Sequence, residues 1–319
     1  MQNEYNSSSG SRGSSSDSRG YMDQNAINLV SGVLVVDKPV GLTSHDVVQI
    51  IRRGTGIRRA GHTGTLDPRA SGVLVVLIGP AVRLSEFVSA EDKRYQATIR
   101  LGSSTDTYDA EGVSQEPEVA VNVTKEQFTE LLQQFVGEIE QVPPPYSAVK
   151  VQGKHAYDLA RRGEEVELAP RIIHVHSLEL LEWASPEAVV DVHCSSGTYI
   201  RSLANDIGEK LGTGAHLVGL RRTRSGRFTL RDAVSLRRLR EAFETGTWAQ
   251  FLIPAAEALA DWPAIELDAE MLEKVRNGHR IPAQEGAQGM ARAVSEQGDL
   301  VAVIEVNGNE WQPRKVFMS

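Results

Sequence analysis

The sequence has little cysteine and no long apolar run. Cys194 is its one cysteine, so the chain can form neither an internal disulfide nor a zinc site built from several thiolates. The longest apolar runs are about six residues, whereas a transmembrane helix needs roughly 20. The first residues also lack the basic, apolar and small-residue order of a signal peptide. We therefore expect a cytoplasmic protein that is not bound to a membrane.

Several common cofactor and catalytic signatures are also missing. No glycine-rich loop is followed by Lys-Ser or Lys-Thr, so the sequence gives no support for a phosphate-binding P-loop. No serine lies in a nucleophile elbow. His174 and His176 alternate along an expected strand without nearby carboxylates or cysteines, and we interpret them as sheet residues rather than metal ligands. We expect no metal and no cofactor.

The net charge of −8 argues at first against a nucleic-acid partner, but the charges are segregated. Residues 26–100 carry ten Lys and Arg against six Asp and Glu, residues 143–163 carry four against one, and residues 193–240 carry ten against three. The acids concentrate in 101–142 and 164–192. A basic face can attract a polyanion whatever the total charge.

The apolar periodicity predicts an α+β fold built on a mixed, mostly antiparallel sheet with flanking helices. Alternating or continuous apolar patterns predict strands at residues 32–36, 95–101, 172–183 and 189–194. Helical spacing predicts helices at residues 44–53, 124–136 and 200–211. Ser44 and Thr198 are candidate helix caps, and Thr124 with Gln127 forms a capping box.

Composition divides the chain into four parts. Residues 1–25 are rich in Ser, Gly and Asn and are expected to be a disordered tail. Residues 26–240 form the main domain, and the acidic, alanine-rich segment 241–263 is expected to connect it to residues 264–319. Short β-runs around one helix predict that this last part is a small β-rich domain.

The stretch 61–72 places one carboxylate, Asp67, among glycines, small hydroxyl residues and Pro68. An apolar run, residues 73–78, follows at once and predicts a buried strand. A polar loop that leads into a rigid strand is a common position for a reactive group. An aspartate is ionised near neutral pH and can act as a nucleophile without a general base. The structural alternative is an Asx turn before Pro68.

Other unusual segments accompany this loop in the chain. They are residues 37–44, the triplet Lys93-Arg94-Tyr95, the triple-proline segment 143–163, and residues 194–201 with 214–222. Together with the Asp67 loop, and in this order, they resemble the TruB family of bacterial tRNA pseudouridine synthases. The resemblance covers roughly residues 29–235. Residues 313–317 also look like the closing strand of a PUA-type RNA-binding domain.

The resemblance implies a role for each site residue. Asp67 would be the nucleophile that converts uridine to pseudouridine, and whether it attacks C1′ or C6 of the nucleotide stays open. Arg201 would pair with Asp67 and keep it ionised. His62 would occupy the space that the base vacates when it leaves the RNA stack. The remaining substrate residues would surround the target base: Tyr95, Tyr199 and Leu220.

The resemblance also implies the substrate and how it is held. Residues 143–163 match a family insertion that clamps the RNA loop, and the substrate would be the T-arm of tRNA, at uridine 55. Basic side chains would contact RNA phosphates, which position the RNA without reading its sequence: Lys38, Lys150, Lys154, Arg161, Arg162, Arg221 and Arg222. The enzyme is expected to act as a monomer, without a cofactor or protein partner.

Two other interpretations remain open at this point. One is a guide-RNA-dependent pseudouridine synthase of the dyskerin type, against which the Ser/Gly-rich tail and the triple-proline segment argue. The other is an RNA-binding protein or RNA chaperone without catalytic activity. The presence of Asp67, Tyr95 and Arg201 together speaks against this second alternative.

Overall fold

The computed structural model describes residues 30–114, 119–147, 149–151, 153–156, 159, 162 and 168–317. The tail expected at residues 1–25 lies outside this part of the chain. The six helices described here are α1 (Ser44–Thr55), α2 (Ser85–Ala90), α3 (Lys125–Leu132), α4 (Ile200–Leu211), α5 (Leu236–Glu244) and α6 (Ala269–Arg276). Within the described ranges, no helix combines the length and apolar character needed to cross a bilayer.

The strands of the main domain form one large sheet. They are β1 (Gly32–Lys38), β2 (Ala60–His62), β3 (Ala70–Ile78), β4 (Lys93–Leu101), β5 (Gly137–Gln141), β8 (Arg171–Ala184), β9 (Glu187–Cys194), β10 (Ala215–Ser225), β11 (Phe228–Thr229), β12 (Val234–Ser235) and β13 (Ile253–Pro254). A separate short hairpin consists of β6 (Lys150–Val151) and β7 (Lys154–His155).

The large sheet has the strand order β12-β1-β3-β10-β4-β9-β8-β5, with β2, β11 and β13 attached at its side. Pairing is parallel between β10 and β3 and between β1 and β12, and antiparallel between the other neighbours. This order brings β3, which follows the Asp67 loop, next to β10. The prediction of a mixed, mostly antiparallel α+β fold is confirmed.

The two faces of the sheet pack against different partners because successive strand residues point to opposite sides. On one face, residues such as Leu34, Val76 and Ile99 pack with helices α1, α3 and α4 in the main hydrophobic core. On the other face, Val33 and Val75 pack against the C-terminal part of the chain, including Val303. The candidate site lies on the side of α4.

Two expected helix caps differ in the structure. Thr43, not Ser44, caps α1, because its hydroxyl accepts from the Asp46 backbone while the Asp46 carboxylate accepts from Thr43. Ser44 is buried and serves another purpose described below. Helix α4 begins after Tyr199 without a side-chain cap, and the Thr198 hydroxyl donates to the Ser195 carbonyl instead. The capping box at Thr124 is present.

The segment 241–263 is part of the packed structure. Its beginning completes α5, β13 pairs with β1, and Trp248 and Leu259 are buried in the two cores of the main domain. It then leads into a five-stranded sheet of order β14-β16-β17-β18-β15 around α6. Those strands are β14 (Ala264–Glu266), β15 (Ile281–Pro282), β16 (Met290–Val294), β17 (Leu300–Asn307) and β18 (Glu310–Val316).

Helix α4 approaches β10 so closely at Gly208 that a methyl group there would lie 2.1 Å from the Ala215 nitrogen. We predict that Gly208→Ala lowers the free energy of unfolding by about 2 kcal/mol, because overpacking against backbone outweighs the gain in helix propensity. Urea unfolding measures this. Arg53→Ala, at an exposed position of helix α1, should change it by less than about 1 kcal/mol. Equal losses in both variants would contradict the prediction.

Candidate active site

The loop that carries Asp67 is held in place by hydrogen bonds to helix α1 and to the turn before it. The Ser44 hydroxyl donates to the Leu66 carbonyl at 3.0 Å and accepts from the Leu66 nitrogen at 2.8 Å. The Gly41 nitrogen donates to the Pro68 carbonyl at 2.8 Å. The residues on both sides of Asp67 are therefore held by backbone hydrogen bonds, while the Asp67 side chain remains 46% exposed.

Lys38 lies under this loop and is fully buried, which contradicts the expected phosphate contact. Its ammonium group donates to the carbonyls of Pro39, Leu42 and Pro68 at 3.0, 2.6 and 3.4 Å. Burial lowers the pKa of Lys38, and the nearby Asp67 carboxylate opposes this effect. The Lys38 side chain therefore joins the turn 39–42 to the Asp67 loop through hydrogen bonds inside the protein, and it cannot reach an RNA phosphate.

Arg222 is also buried, at 2% exposure, so the second expected phosphate contact is wrong as well. Its guanidinium donates to the Val73 carbonyl at 2.7 Å and to the Gly64 carbonyl at 3.0 Å. Arg222 is also the register partner of Tyr95 in the pairing of β10 with β4, and its charge opposes the rise of the Tyr95 pKa that burial causes. Arg222 therefore connects strand β10 to both ends of the Asp67 loop and to strand β4.

Close packing explains one glycine of the loop. Gly72 has φ of +100°, and a Cβ there would lie 2.2 Å from the Arg222 carbonyl oxygen. Any other residue would be strained and would push β3 away from β10. Gly72 thereby lets the end of the loop lie directly on the strand that carries Leu220 and Arg222.

Arg201 joins two carboxylates. Its Nε lies 3.2 Å from Asp67 Oδ2, and its Nη1 lies 3.3 Å from Asp109 Oδ2. The same side chain donates to the carbonyls of Thr107 and Tyr146 at 3.2 and 3.0 Å. Arg201 is 8% exposed and is held from several directions, so it presents a fixed positive charge to the more exposed Asp67.

Asp109 is a site residue that the sequence analysis missed. Its Oδ1 accepts from the Thr107 hydroxyl at 2.7 Å and from the Glu111 nitrogen at 3.0 Å, which leaves Oδ2 directed at Arg201. The loop is attached to β10, because the Ala110 nitrogen donates to the Leu217 carbonyl. Asp109 lies in an acidic segment without a recognised local pattern, so only its position in space reveals the contact.

A cavity of about 680 Å³ opens beside Asp67. Its walls include three of the expected substrate residues, Tyr95, Tyr199 and Leu220. Tyr95 is buried, and burial raises the pKa of its hydroxyl. The Tyr199 backbone is fixed on both sides by Gln141, whose amide accepts from the Tyr199 nitrogen at 2.8 Å and donates to its carbonyl at 3.1 Å. A charged group such as the Asp67 carboxylate beside aromatic and apolar side chains is typical of a ligand site.

Lys93 also lines this cavity, and the sequence analysis assigned it no role of its own, although it stands in the triplet Lys93-Arg94-Tyr95. It is buried at the start of β4, and its ammonium group donates to the backbone carbonyls of Ser89 and Glu91. Burial lowers the pKa of Lys93 to about 8, and the positive charge of Arg222 adds to the effect. Its place in the triplet before Tyr95 was the available signal.

His62 lies at the end of β2, one residue before Thr63, which lines the cavity. Its own side chain is not part of the cavity wall. The imidazole Nδ1 is buried and has no hydrogen-bond partner among the described residues. Burial lowers the pKa of His62, and Arg222 adds to this shift. Burial therefore favours the neutral form of this imidazole, which belongs to the first residues of the Asp67 loop.

The remaining expected RNA contacts lie away from the cavity floor or outside the described part. Arg221 is 40% exposed and pairs with Asp37 at 3.0 Å. Arg162 is exposed. The backbones of Lys150 and Lys154 form the β6–β7 hairpin, whereas their side chains, and Arg161 as a whole, lie outside the described residues.

Sequence comparison identifies the family. Residues 52–200 match the TruB family pseudouridylate synthase N-terminal domain, residues 201–260 match the tRNA pseudouridylate synthase B C-terminal domain, and residues 262–318 match the tRNA pseudouridine synthase II C-terminal domain. The chain belongs to the TruB family. Among its relatives are proteins named tRNA pseudouridine synthase B from Solibacter usitatus and Thermobifida fusca. The Solibacter usitatus protein is 42% identical over 87% of this chain and 96% of its own length. The Thermobifida fusca protein is 45% identical over 91% of this chain and 99% of its own length.

Solved structures support the same fold. A chain of a Cbf5-Nop10-Gar1 complex is 28% identical with a TM-score of 0.71, over 90% of this chain and 85% of that one. A chain of an H/ACA RNP bound to a substrate RNA containing 2′-deoxyuridine is 26% identical, also with a TM-score of 0.71. This match covers 93% of the present chain and 88% of that one. These similarities extend over both sheets of the TruB-family chain.

The neighbouring residues Arg221 and Arg222 allow a test of whether the buried Arg222 stabilises the Asp67 loop. We predict that Arg222→Met lowers the free energy of unfolding by about 2–4 kcal/mol, because it leaves the buried Val73 carbonyl and the partly buried Gly64 carbonyl without their donor. Arg221→Met removes one half-exposed ion pair and should cost less than about 1 kcal/mol. Urea unfolding of both variants gives the comparison. Similar small losses would mean that Arg222 does not fasten the loop.

Proposed function

We propose that this protein is a tRNA pseudouridine synthase that isomerises uridine 55 in the T-loop, with Asp67 as nucleophile. The observation that carries this proposal is the Asp67 carboxylate, paired with Arg201 at 3.2 Å and open to a cavity walled by Tyr95, Tyr199 and Leu220. Membership of the TruB family and the names of its relatives support the choice of substrate.

The reaction needs few components. The bond from C1′ to N1 of the uridine breaks and C1′ is joined to C5. The hydrogen on C5 leaves as a proton, and N1 takes up a proton, so that the product is an isomer of the substrate. No electron is gained or lost, so the protein has to supply a nucleophile, a pocket for the base and control of protons. Asp67 would add to C1′ or to C6 of the nucleotide and would later be expelled. Both routes use the same carboxylate and the same cavity.

Arg201 would act on this step through charge. It places a positive charge beside the Asp67 carboxylate and holds that carboxylate at a fixed angle, since its guanidinium is itself held by Asp109 and two carbonyls. The second carboxylate also balances the guanidinium charge, so that Asp67 is not bound as tightly as in an isolated pair. We therefore propose Asp109 as a residue that positions Arg201.

The target base has to leave the RNA stack to reach this cavity, at a cost of a few kcal/mol. We propose that Tyr95 and Tyr199 contact the flipped base, while His62 beside the loop supports the RNA from which it came. The insertion at 143–163 would hold the T-arm through Lys150, Lys154, Arg161 and Arg162. In this proposal the protein acts on tRNA in the cytoplasm as a monomer and needs no guide RNA or protein partner.

The two alternatives are less well supported. The relatives named tRNA pseudouridine synthase B are 42% and 45% identical to this chain, whereas the chains from multiprotein complexes are 26% and 28% identical. A binding protein without catalysis would have no need for a carboxylate that is half exposed and paired with a buried arginine. The following experiment separates catalysis from binding.

We predict that the protein releases tritium from T-arm RNA labelled at C5 of uridine, and that Asp67→Asn lowers the single-turnover rate by more than about 10⁴-fold. The amide keeps the size of the side chain but is a poor nucleophile. Filter binding should show that the variant still binds the RNA. Asp261→Asn, the same change at an exposed residue, should release tritium at the parent rate.

Tritium release by Asp67→Asn as fast as by the parent protein would refute the role of Asp67. RNA binding without any tritium release by the parent protein would favour the non-catalytic alternative. A requirement for an added guide RNA would favour the dyskerin-type alternative. Each of these results differs from the one expected.

We predict that Lys150→Ala and Lys154→Ala each weaken T-arm binding and reduce the slope of log K against log[salt] by about 1, because each removes one phosphate contact. Binding titrations at several salt concentrations measure both quantities. Lys125→Ala, at an exposed lysine in the acidic segment 101–142, is the matched control and should leave affinity and slope unchanged. Equal effects of all three changes would contradict an RNA-clamping role for the hairpin.

A further inference from the structure

Three polar side chains meet at the edge of β8 and β9, away from the Asp67 cavity walls. His176 lies on β8, His193 lies on β9, and Asp92 precedes β4. A nitrogen of each imidazole and an oxygen of the carboxylate all lie within 4.8 Å of one another. The expectation that His176 has no carboxylate nearby is therefore wrong: strand pairing brings Asp92 to it from a distant part of the chain.

The distances in this cluster are close to those of a metal site. His176 Nε2 lies 3.0 Å from Asp92 Oδ2, and His193 Nε2 lies 3.8 Å from the same oxygen. In a tetrahedral zinc site with metal–ligand bonds of about 2.0–2.1 Å, neighbouring ligand atoms are about 3.3 Å apart. Side-chain movements of less than 1 Å would bring these atoms to that spacing, as an order-of-magnitude estimate from the same geometry.

The ring orientations are also fixed by packing. The His176 ring packs against His193 on one side and His174 on the other, with centroid distances of 4.6 and 4.7 Å. His174 in turn is fixed by its backbone, since its nitrogen donates to the Ser195 hydroxyl and its carbonyl accepts from the Ser195 nitrogen. Supported imidazoles lose less freedom when they bind a metal ion.

We propose that Asp92, His176 and His193 form a binding site for one Zn²⁺ ion. Two imidazoles and one carboxylate are ligands that zinc prefers, and a three-ligand site leaves a position for water. The three side chains are 31–47% exposed, so an ion can enter from solvent. Cys194 cannot contribute, because it is buried on the opposite face of β9.

The site would connect to the cavity through the chain. Asp92 directly precedes Lys93, which lines the cavity, and the Asp92 carbonyl accepts from the Gly226 nitrogen at 2.8 Å. A zinc ion would tie this turn to β8 and β9. We infer that the ion stabilises the turn at Asp92 that positions Lys93, and that it takes no part in the isomerisation.

Equilibrium dialysis of tag-free protein against Zn²⁺ tests the proposal. The parent protein should bind one ion per chain, and His176→Gln, His193→Gln and Asp92→Asn should each weaken binding by at least about tenfold. Equimolar Zn²⁺ should raise the melting temperature of the parent and not of these variants. His279→Gln, at an exposed histidine of the C-terminal part, should bind like the parent.

The spectrum of the loaded parent protein gives a second measurement that does not depend on variants that fold. With one equivalent of Cu²⁺ as probe, electron spin-echo modulation should count two coordinated imidazoles. Fewer than two imidazoles, no stoichiometric zinc binding by the parent, or equal zinc binding by the parent and the three site variants would overturn the proposal. Loss of tritium release in Asp67→Asn has no bearing on it, so the two proposals fail independently.

Discussion

The geometry around Asp67 depends on two buried cations that bind backbone carbonyls. Lys38 holds the Pro68 carbonyl directly after Asp67, and Arg222 holds the carbonyls of Gly64 and Val73 at either end of the loop. A loop of small residues has little apolar surface with which to fix itself, so its position must come from hydrogen bonds. Charged donors make such bonds stronger than neutral ones do. The protein thereby keeps the loop rigid while leaving the Asp67 carboxylate accessible, since neither cation uses that carboxylate as its partner.

The same arrangement explains why the site needs two acids. Arg201 is almost buried, and a guanidinium in that position requires its donors to be satisfied. Asp109 and the carbonyls of Thr107 and Tyr146 take several of them, which leaves Nε for Asp67. If Asp67 alone satisfied the guanidinium, the pair would be locked together and the carboxylate would be a weaker nucleophile. Because Asp109 shares the positive charge, Arg201 holds the Asp67 carboxylate less tightly than an isolated pair would.

Local patterns predicted the fold and the reactive loop but not the environment of its charges. Strand alternation and helical spacing placed β4, β8, β9 and α4 within a few residues, because burial of one face imposes those periods. They also located Asp67, because a lone carboxylate among glycines is visible in a short window. Asp109 and Asp92 were missed, since each meets its arginine or histidine only through tertiary contacts between distant parts of the chain. Strand alternation could also have predicted that Arg221 and Arg222 differ in burial. Neighbouring residues on a strand face opposite sides, so one of the two had to point inward.

The burial of basic residues changes what the charge segregation means for RNA binding. The segment 193–240 is strongly basic in sequence, but Arg201 and Arg222 are buried and Arg221, Arg227 and Arg237 are each paired with an acid. Four further arginines of the segment are exposed: Arg224, Arg231, Arg238 and Arg240. A cation that is already paired releases fewer counterions when a phosphate approaches, so it adds little to affinity. Any attraction of this segment for a polyanion must then come mainly from its exposed arginines and not from the buried or acid-paired ones. The segment 143–163, with four cations against one acid, adds further positive charge in sequence. Charge counted along the sequence locates the motifs of the site, whereas burial decides which of those charges an RNA backbone can meet.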